Sequence, residues 1–157
     1  MKIALLGILL FSCTSASATQ QIKDRVHFEG LDFVINELPL EKLPGIKSEI
    51  IKDNIARCSA NWRGYQAGWY IQNSQLSLSY LIKNPCSKVK EYYDLSKYFN
   101  NESSLVNANW YTGSITIRIS EKEIIQEKAF SRYQAVLYKI KEGKVVSREV
   151  KFIEEKF

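Results

Sequence analysis

Residues 65–82 alternate so strictly between apolar and polar side chains that a single strand register satisfies them, and this stretch constrains the fold more than any other. With Asn73-Ser74 in the turn, Ile71 meets Leu76, Trp69 meets Leu78, Ala67 meets Tyr80 and Tyr65 meets Ile82, all on one face. The other face receives Gln72 with Gln75, Tyr70 with Ser77, Gly68 with Ser79 and Gln66 with Leu81. A slip of one residue would exchange the two faces. The pattern therefore predicts an antiparallel hairpin that buries Trp69, Ile71, Leu76, Leu78 and Tyr80.

A second hairpin is expected near the C-terminus, turning at Glu142-Gly143 and pairing Tyr133 with Phe152, Ala135 with Val150, Leu137 with Arg148 and Lys139 with Val146. Between the hairpins, Ile115, Ile117 and Ile119 alternate with Ser114, Thr116 and Arg118 as in a half-buried strand, and residues 26–36 read as one or two strands around Gly30. Helical spacing appears at residues 46–56 (Ile46, Ile50, Ile51, Ile55) and at residues 87–99 (Tyr92, Leu95, Phe99). Residues 100–104 are polar and read as a surface loop. The expected class is mainly β (β-rich α+β): an antiparallel hairpin sheet, open or curled into a barrel or half-barrel, with one or two short helices.

Lys2, an apolar run over residues 3–11 and the small triplet Ala16-Ser17-Ala18 have the form of a secretory signal cleaved before Thr19. The run is about half the roughly 20 residues that cross a bilayer. Residues 1–18 are thus read as a signal peptide and 19–157 as a single β-rich domain, periplasmic or secreted. A second reading takes Leu10-Phe11-Ser12-Cys13 as a lipoprotein box that anchors the chain through an acylated Cys13, the one route by which it would join a membrane. In both cases Cys58 and Cys86 remain in an oxidising compartment, where a disulfide is expected. Continuing the first hairpin outward sets Cys86 opposite Asn61 and leaves Cys58 about 10 Å too far along its strand. The hairpin must therefore bend or bulge near Arg63-Gly64 or Asn84-Pro85.

Charge and chemistry exclude more than they assign. Loss of Lys2 with the signal lowers the formal charge from +5 to +4, and basic and acidic residues are interspersed, so a nucleic-acid partner is not expected. Most acidic residues (Glu121, Glu123, Glu127, Glu142, Glu154, Glu155) fall in turns or near the end, and no nucleophile elbow, phosphate-cradling loop, metal motif or cofactor motif is present. The sole histidine, His27, faces away from its apolar neighbours Val26 and Phe28 and reads as an exposed strand residue.

Two triplets repeat: Ala60-Asn61-Trp62 precedes Gly68, Trp69 and Ile71, and Ala108-Asn109-Trp110 precedes Gly113, Ile115 and Ile117. They read as two indole anchors at equivalent ends of a sheet, or as a paired ligand site. Trp62-Arg63-Gly64-Tyr65 with Trp69, Ile71, Leu76 and Leu78, followed by Ala108, Trp110, Thr112-Gly113, Ile115 and Ile117, resembles a motif in a family of small uncharacterised bacterial proteins. Tyr70 stands where that pattern has an acidic residue, and Cys58 lies four residues before Trp62 in place of an adjacent cysteine. The resemblance implies a compact β-rich domain and no particular reaction.

The remaining candidate site is aromatic. Tyr92, Tyr93, Tyr98 and Phe99 crowd the segment after Cys86 beside Lys88, Lys90 and Lys97, and since one short helix cannot turn all four inward, they read either as a cap over the open end of the sheet or as a partly exposed patch suited to contact with another protein. Three function classes follow: an exported non-catalytic binding module, for instance an inhibitor or immunity-type protein directed at a secreted effector or hydrolase; a carrier of a small apolar ligand; and a hydrolase with an unrecognised site. An exposed aromatic patch with no deep pocket would mark the binding module, an apolar cavity of a few hundred cubic ångströms the carrier, and at least two titratable side chains meeting in a cleft the enzyme.

Overall fold

The computed structural model describes residues 19–52, 58–99, 103–126 and 129–156, so the signal or lipoprotein segment, Ile55, residues 100–102 of the 100–104 loop and Glu127 lie outside the described residues. In chain order the strands are β1 (Asp24–Phe28), β2 (Leu31–Ile35), β3 (Gln66–Gln72), β4 (Gln75–Ile82), β5 (Val106–Asn107), β6 (Gly113–Arg118), β7 (Glu123–Ile125), β8 (Phe130–Lys141) and β9 (Lys144–Lys156). A short helix α1 (Ile46–Lys52) and two 3-10 turns complete the described elements. Among these residues no helix is long and apolar enough to cross a membrane.

All nine strands join one sheet in the order β2-β1-β3-β4-β9-β8-β6, with β5 on β4 and β7 on β8. The mainly β expectation is met, with one addition: β1 runs parallel to β3, pairing Val26 with Trp69. The sheet curls until β2 and β6 lie beside one another, but no ladder closes them. The backbone N–H of Thr116 donates instead to Glu37 Oε1 at 3.1 Å. The concave side buries Val26, Ile35, Trp69, Leu76, Leu78, Ile115, Ile117 and Val136, and Leu40, Ile46 and Ile50 join the same core.

Near its turn the first hairpin keeps the expected register, with Ile71 opposite Leu76 and Trp69 opposite Leu78. Beyond Trp69 the expectation fails by one residue, since Gly68 faces Tyr80, Ala67 faces Leu81 and Gln66 faces Ile82, leaving Ser79 as a bulge. The bulge turns Leu81 into the core and moves Tyr80 out of it, onto Gly68. A Cβ at Gly68 would stand inside the Tyr80 ring, so glycine permits the packing that the bulge creates. Ile71 is only half-buried.

The second hairpin turns at Glu142-Gly143 as expected, but a bulge between Lys139 and Ile140 shifts its later pairs. Lys139 faces Ser147, Leu137 faces Glu149, Ala135 faces Lys151 and Tyr133 faces Ile153, leaving Val146 as the extra residue. β6 ends at Arg118, so Ile119 lies outside it and is exposed. The helix expected over 87–99 is absent apart from a 3-10 turn at Leu95–Lys97. Tertiary pairing has captured its backbone: Tyr93 N–H donates to Leu81 O at 2.9 Å and Lys83 N–H to Glu91 O at 2.8 Å, which ties the segment to the end of β4.

Cys58 and Cys86 form the expected disulfide, with Cα atoms 6.6 Å apart. The chain leaves strand geometry before Gln66 through turns closed by Asn61 N–H on Cys58 O and Gly64 N–H on Asn61 O, with Gly64 at φ +80°. Replacing both cysteines by serine should lower stability by about 3.5 kcal/mol, the chain-entropy value for a loop of this length. Thiol titration of the oxidised, denatured protein checks the bridge itself, and free thiols at Cys58 and Cys86 would overturn it.

Candidate functional site

Asp24 begins β1 on the same face as Val26 and Phe28, fully buried. Its carboxylate accepts from Arg63 Nη1 at 2.9 Å, Ala67 N–H at 3.2 Å and Trp69 Nε1 at 3.1 Å. Arg63 Nη2 also donates to Ile22 O at 2.5 Å, and its guanidinium lies 5.0 Å from the Tyr65 ring centre. Tyr65 in turn donates to Glu41 Oε1 at 3.0 Å. Burial pushes the Asp24 carboxyl above its usual range, while the Arg63 charge and the Trp69 and Ala67 donors draw it back. Burial, then the negative charges of Asp24 and Glu41, push the Tyr65 hydroxyl far upward, so it remains a donor at neutral pH. Arg63, Tyr65 and Trp69 thus fasten the Trp62-Arg63-Gly64-Tyr65 turn to the start of β1.

The outer side of this lock forms one wall of an apolar groove of about 800 Å³. Gln21, Ile22, Lys23, Leu38, Glu41, Trp62 and Arg63 line it. Trp62 is 72 % exposed on its edge. The backbone beneath the indole is held: Trp62 N–H donates to Gln21 Oε1 at 3.1 Å, and Gln21 Nε2 donates to Ser59 O at 2.9 Å. A large apolar ring is therefore presented to solvent from a tethered turn.

Trp62 corrects the expectation of two equivalent indole anchors. Both triplets enter turns, but Trp110 is half-buried, donates through Nε1 to Pro39 O at 3.1 Å and stacks on Phe99 with ring centres 5.6 Å apart. The turns differ as well as the burial: the one at Trp62 closes from Gly64 N–H to Asn61 O and the one at Trp110 from Tyr111 N–H to Ala108 O. Gly113, at the start of β6, sits against the Tyr111 hydroxyl and ring with no space for a Cβ.

No family model, curated protein or solved structure matches this chain. What the groove can do rests on its own residues and on those around it.

The aromatic segment after Cys86 is placed mostly inward. Tyr93 is buried, donates to Gly64 O at 3.3 Å and meets Tyr98 edge-on at 5.8 Å, while Tyr98 and Phe99 are half-buried against the core. Tyr92 alone of the four projects, 56 % exposed, with its ring 5.9 Å from that of Tyr80. The four rings therefore do not form one exposed patch. Tyr92, Tyr93 and Tyr98 nevertheless line one pocket of about 440 Å³ with Lys83 and Lys97, while Phe99 stacks on Trp110.

Titratable groups meet in a second, polar slot of about 320 Å³ at the β2–β6 seam, lined by Lys23, Asp32, Arg118, Tyr133 and Glu155 among others. Tyr133 donates to Glu155 Oε1 at 2.9 Å, and Lys122 pairs with the other carboxylate oxygen. The Lys122 hydrogen bond, followed by that of Tyr133, holds Glu155 below the usual carboxylate range, whereas desolvation and then Glu155 push the Tyr133 hydroxyl up. At neutral pH the carboxylate stays ionised and the phenol protonated. His27 is half-buried, with Nδ1 2.9 Å from Asp32 Oδ1 and its ring 4.6 Å from that of Tyr70. Among the described residues no serine, threonine or cysteine hydrogen-bonds to it.

Sequence reasoning missed Asp24, Glu41 and Gln21. For Asp24 a signal exists, because it shares parity with Val26 and Phe28 on a strand whose inward face is otherwise apolar, and a carboxylate there requires partners. Gln21 and Glu41 carry no such signal, since their roles arise from chain segments brought together only by the fold.

Proposed function

We infer that this chain is an exported, non-catalytic binding module, an inhibitor or immunity-type protein for a secreted effector or hydrolase, which receives its protein partner at the groove beside Trp62. The observation that carries this reading is the exposed Trp62 indole on a tethered turn at the rim of an apolar groove. Tryptophan is enriched among residues that dominate binding energy, and its rigid ring loses little freedom when a partner covers it. The signal-like residues 1–18 and the Cys58–Cys86 disulfide support export to an oxidising compartment.

Trp62→Ala tests the reading. The variant should keep its thermal midpoint, because the ring contributes little to the core, yet lose a protein that the wild type retains from the extracytoplasmic fraction of its native cells. Equal capture by both proteins would remove the groove from the interface.

The size of the groove favours a second reading, carriage of a small apolar ligand, since small-molecule sites commonly enclose about 300–1,000 Å³. An apolar fluorescent probe that changes the Trp62 emission and saturates at one per chain supports the carrier over the protein-binding module.

A further inference from the structure

β9 runs for 13 residues, yet on the side away from β8 only its first two are joined to the sheet. Lys144 lies opposite Gln75, and Val145 N–H donates to Ser74 O at 2.8 Å. From 146 to 156 nothing among the described residues pairs with that edge. Unpaired N–H and C=O groups along a strand this long accept another strand readily, and sheets usually shorten or cover such edges. On the face it shares with the core, Arg148 already lies over the Phe28 ring and donates to the Tyr138 hydroxyl, and the Arg132 guanidinium lies 5.0 Å from the Phe152 ring centre, yet apolar surface remains accessible there. Val150 and Phe152 lie opposite Val136 and Gln134, but they are 45 % and 62 % exposed where Val136 is buried. The apolar surface of the core thus continues onto the edge strand at Val150 and Phe152.

We propose that this edge pairs antiparallel with β9 of a second copy of the chain, about a two-fold axis through Val150. A two-fold normal to the sheet keeps the apolar faces together and sets residues of equal parity opposite one another. The charges along β9 then select the register. Centred on Glu149 the two strands oppose Glu149 to itself, and centred on Lys151 they oppose Lys151 to itself. Centred on Val150, each Glu149 faces Lys151 of the second copy, each Arg148 faces Phe152, and the two Val150 side chains meet. Lys144 would face Lys156 at the outer ends, but Gln75 already occupies Lys144. The strand is thus self-complementary in charge around the residue that is also central to its apolar face. No residue of β9 lines the Trp62 groove, so dimerisation and groove binding can be tested by separate substitutions.

Sedimentation velocity of the oxidised protein over a concentration series is the first test, with a reversible dimer expected. Glu149→Lys sets two Lys–Lys pairs across the axis and should weaken association about tenfold without unfolding an exposed position. Adding Lys151→Glu restores unlike pairs and should restore the dimer. Val150→Cys places two thiols in a directly opposed pair, about 5 Å apart at Cα, and should cross-link under mild oxidation. Glu154→Cys, which faces Val146 of the second copy, should not. A wild type that stays monomeric throughout overturns the proposal, whether or not the edge accepts a strand from another protein. So does a dimer indifferent to Glu149→Lys, or one that Glu154→Cys cross-links as readily as Val150→Cys.

Discussion

Trp69→Ala should destabilise the protein by about 3–5 kcal/mol, most of what a domain of ordinary stability possesses. The indole is 1 % exposed, sits between Val26 of β1 and Leu78 of β4, and donates to Asp24. Truncation leaves a cavity at the point where the parallel and antiparallel pairings of β3 meet, and it removes one of the donors that offset burial of the Asp24 charge. Trp62→Ala, a change of the same chemistry seven residues earlier, should stay within about 0.5 kcal/mol of the wild type, as is usual for exposed side chains. Denaturant unfolding of the oxidised protein measures both. Similar costs for the two would mean that the strand register presents the wrong face of β3 to the core.

That contrast also marks what was legible in the sequence. The turn at Asn73-Ser74 and the pairs nearest it follow from period-2 alternation, because a slip there would expose Trp69 and Leu78 together. The bulge at Ser79 was not legible: the apolar pattern 76, 78, 80, 82 suits an unbroken strand, and only the burial of Leu81 and the space above Gly68 favour the shift. The same holds for Val146 in the last hairpin, where both candidate registers give mixed faces. The helical spacing of Tyr92, Leu95 and Phe99 was a local signal overridden by hydrogen bonds to the end of β4, whose backbone lay unpaired beyond β3. At the candidate site the motif residues Arg63, Tyr65 and Trp69 stood out, but Asp24, the partner that Arg63 and Trp69 share, lies 39 residues before Arg63 and no spacing rule connects them. Trp62 looked like an anchor because tryptophan usually is one. Its exposure depends on where the Gly64 turn points, which composition does not encode.

Arg63→Met is expected to cost about 3–5 kcal/mol, because it leaves the Asp24 carboxylate fully buried without its counter-charge. The loss comes from the stranded charge more than from the ion pair itself, so combining it with Asp24→Leu should recover a large share. Recovery should stop short of complete, since Ala67 N–H and the Trp69 indole then lose their acceptor. A double-mutant cycle by denaturant unfolding checks this; additive effects of the two substitutions would mean that the pair does not act as a unit. The same result bears on function, because Arg63 lines the groove as well as locking the turn beneath it. Lost partner capture in Arg63→Met would report loss of folding before loss of contact, whereas Trp62 touches the groove and not the lock. Trp62 is therefore the position at which binding can be removed while the fold is kept.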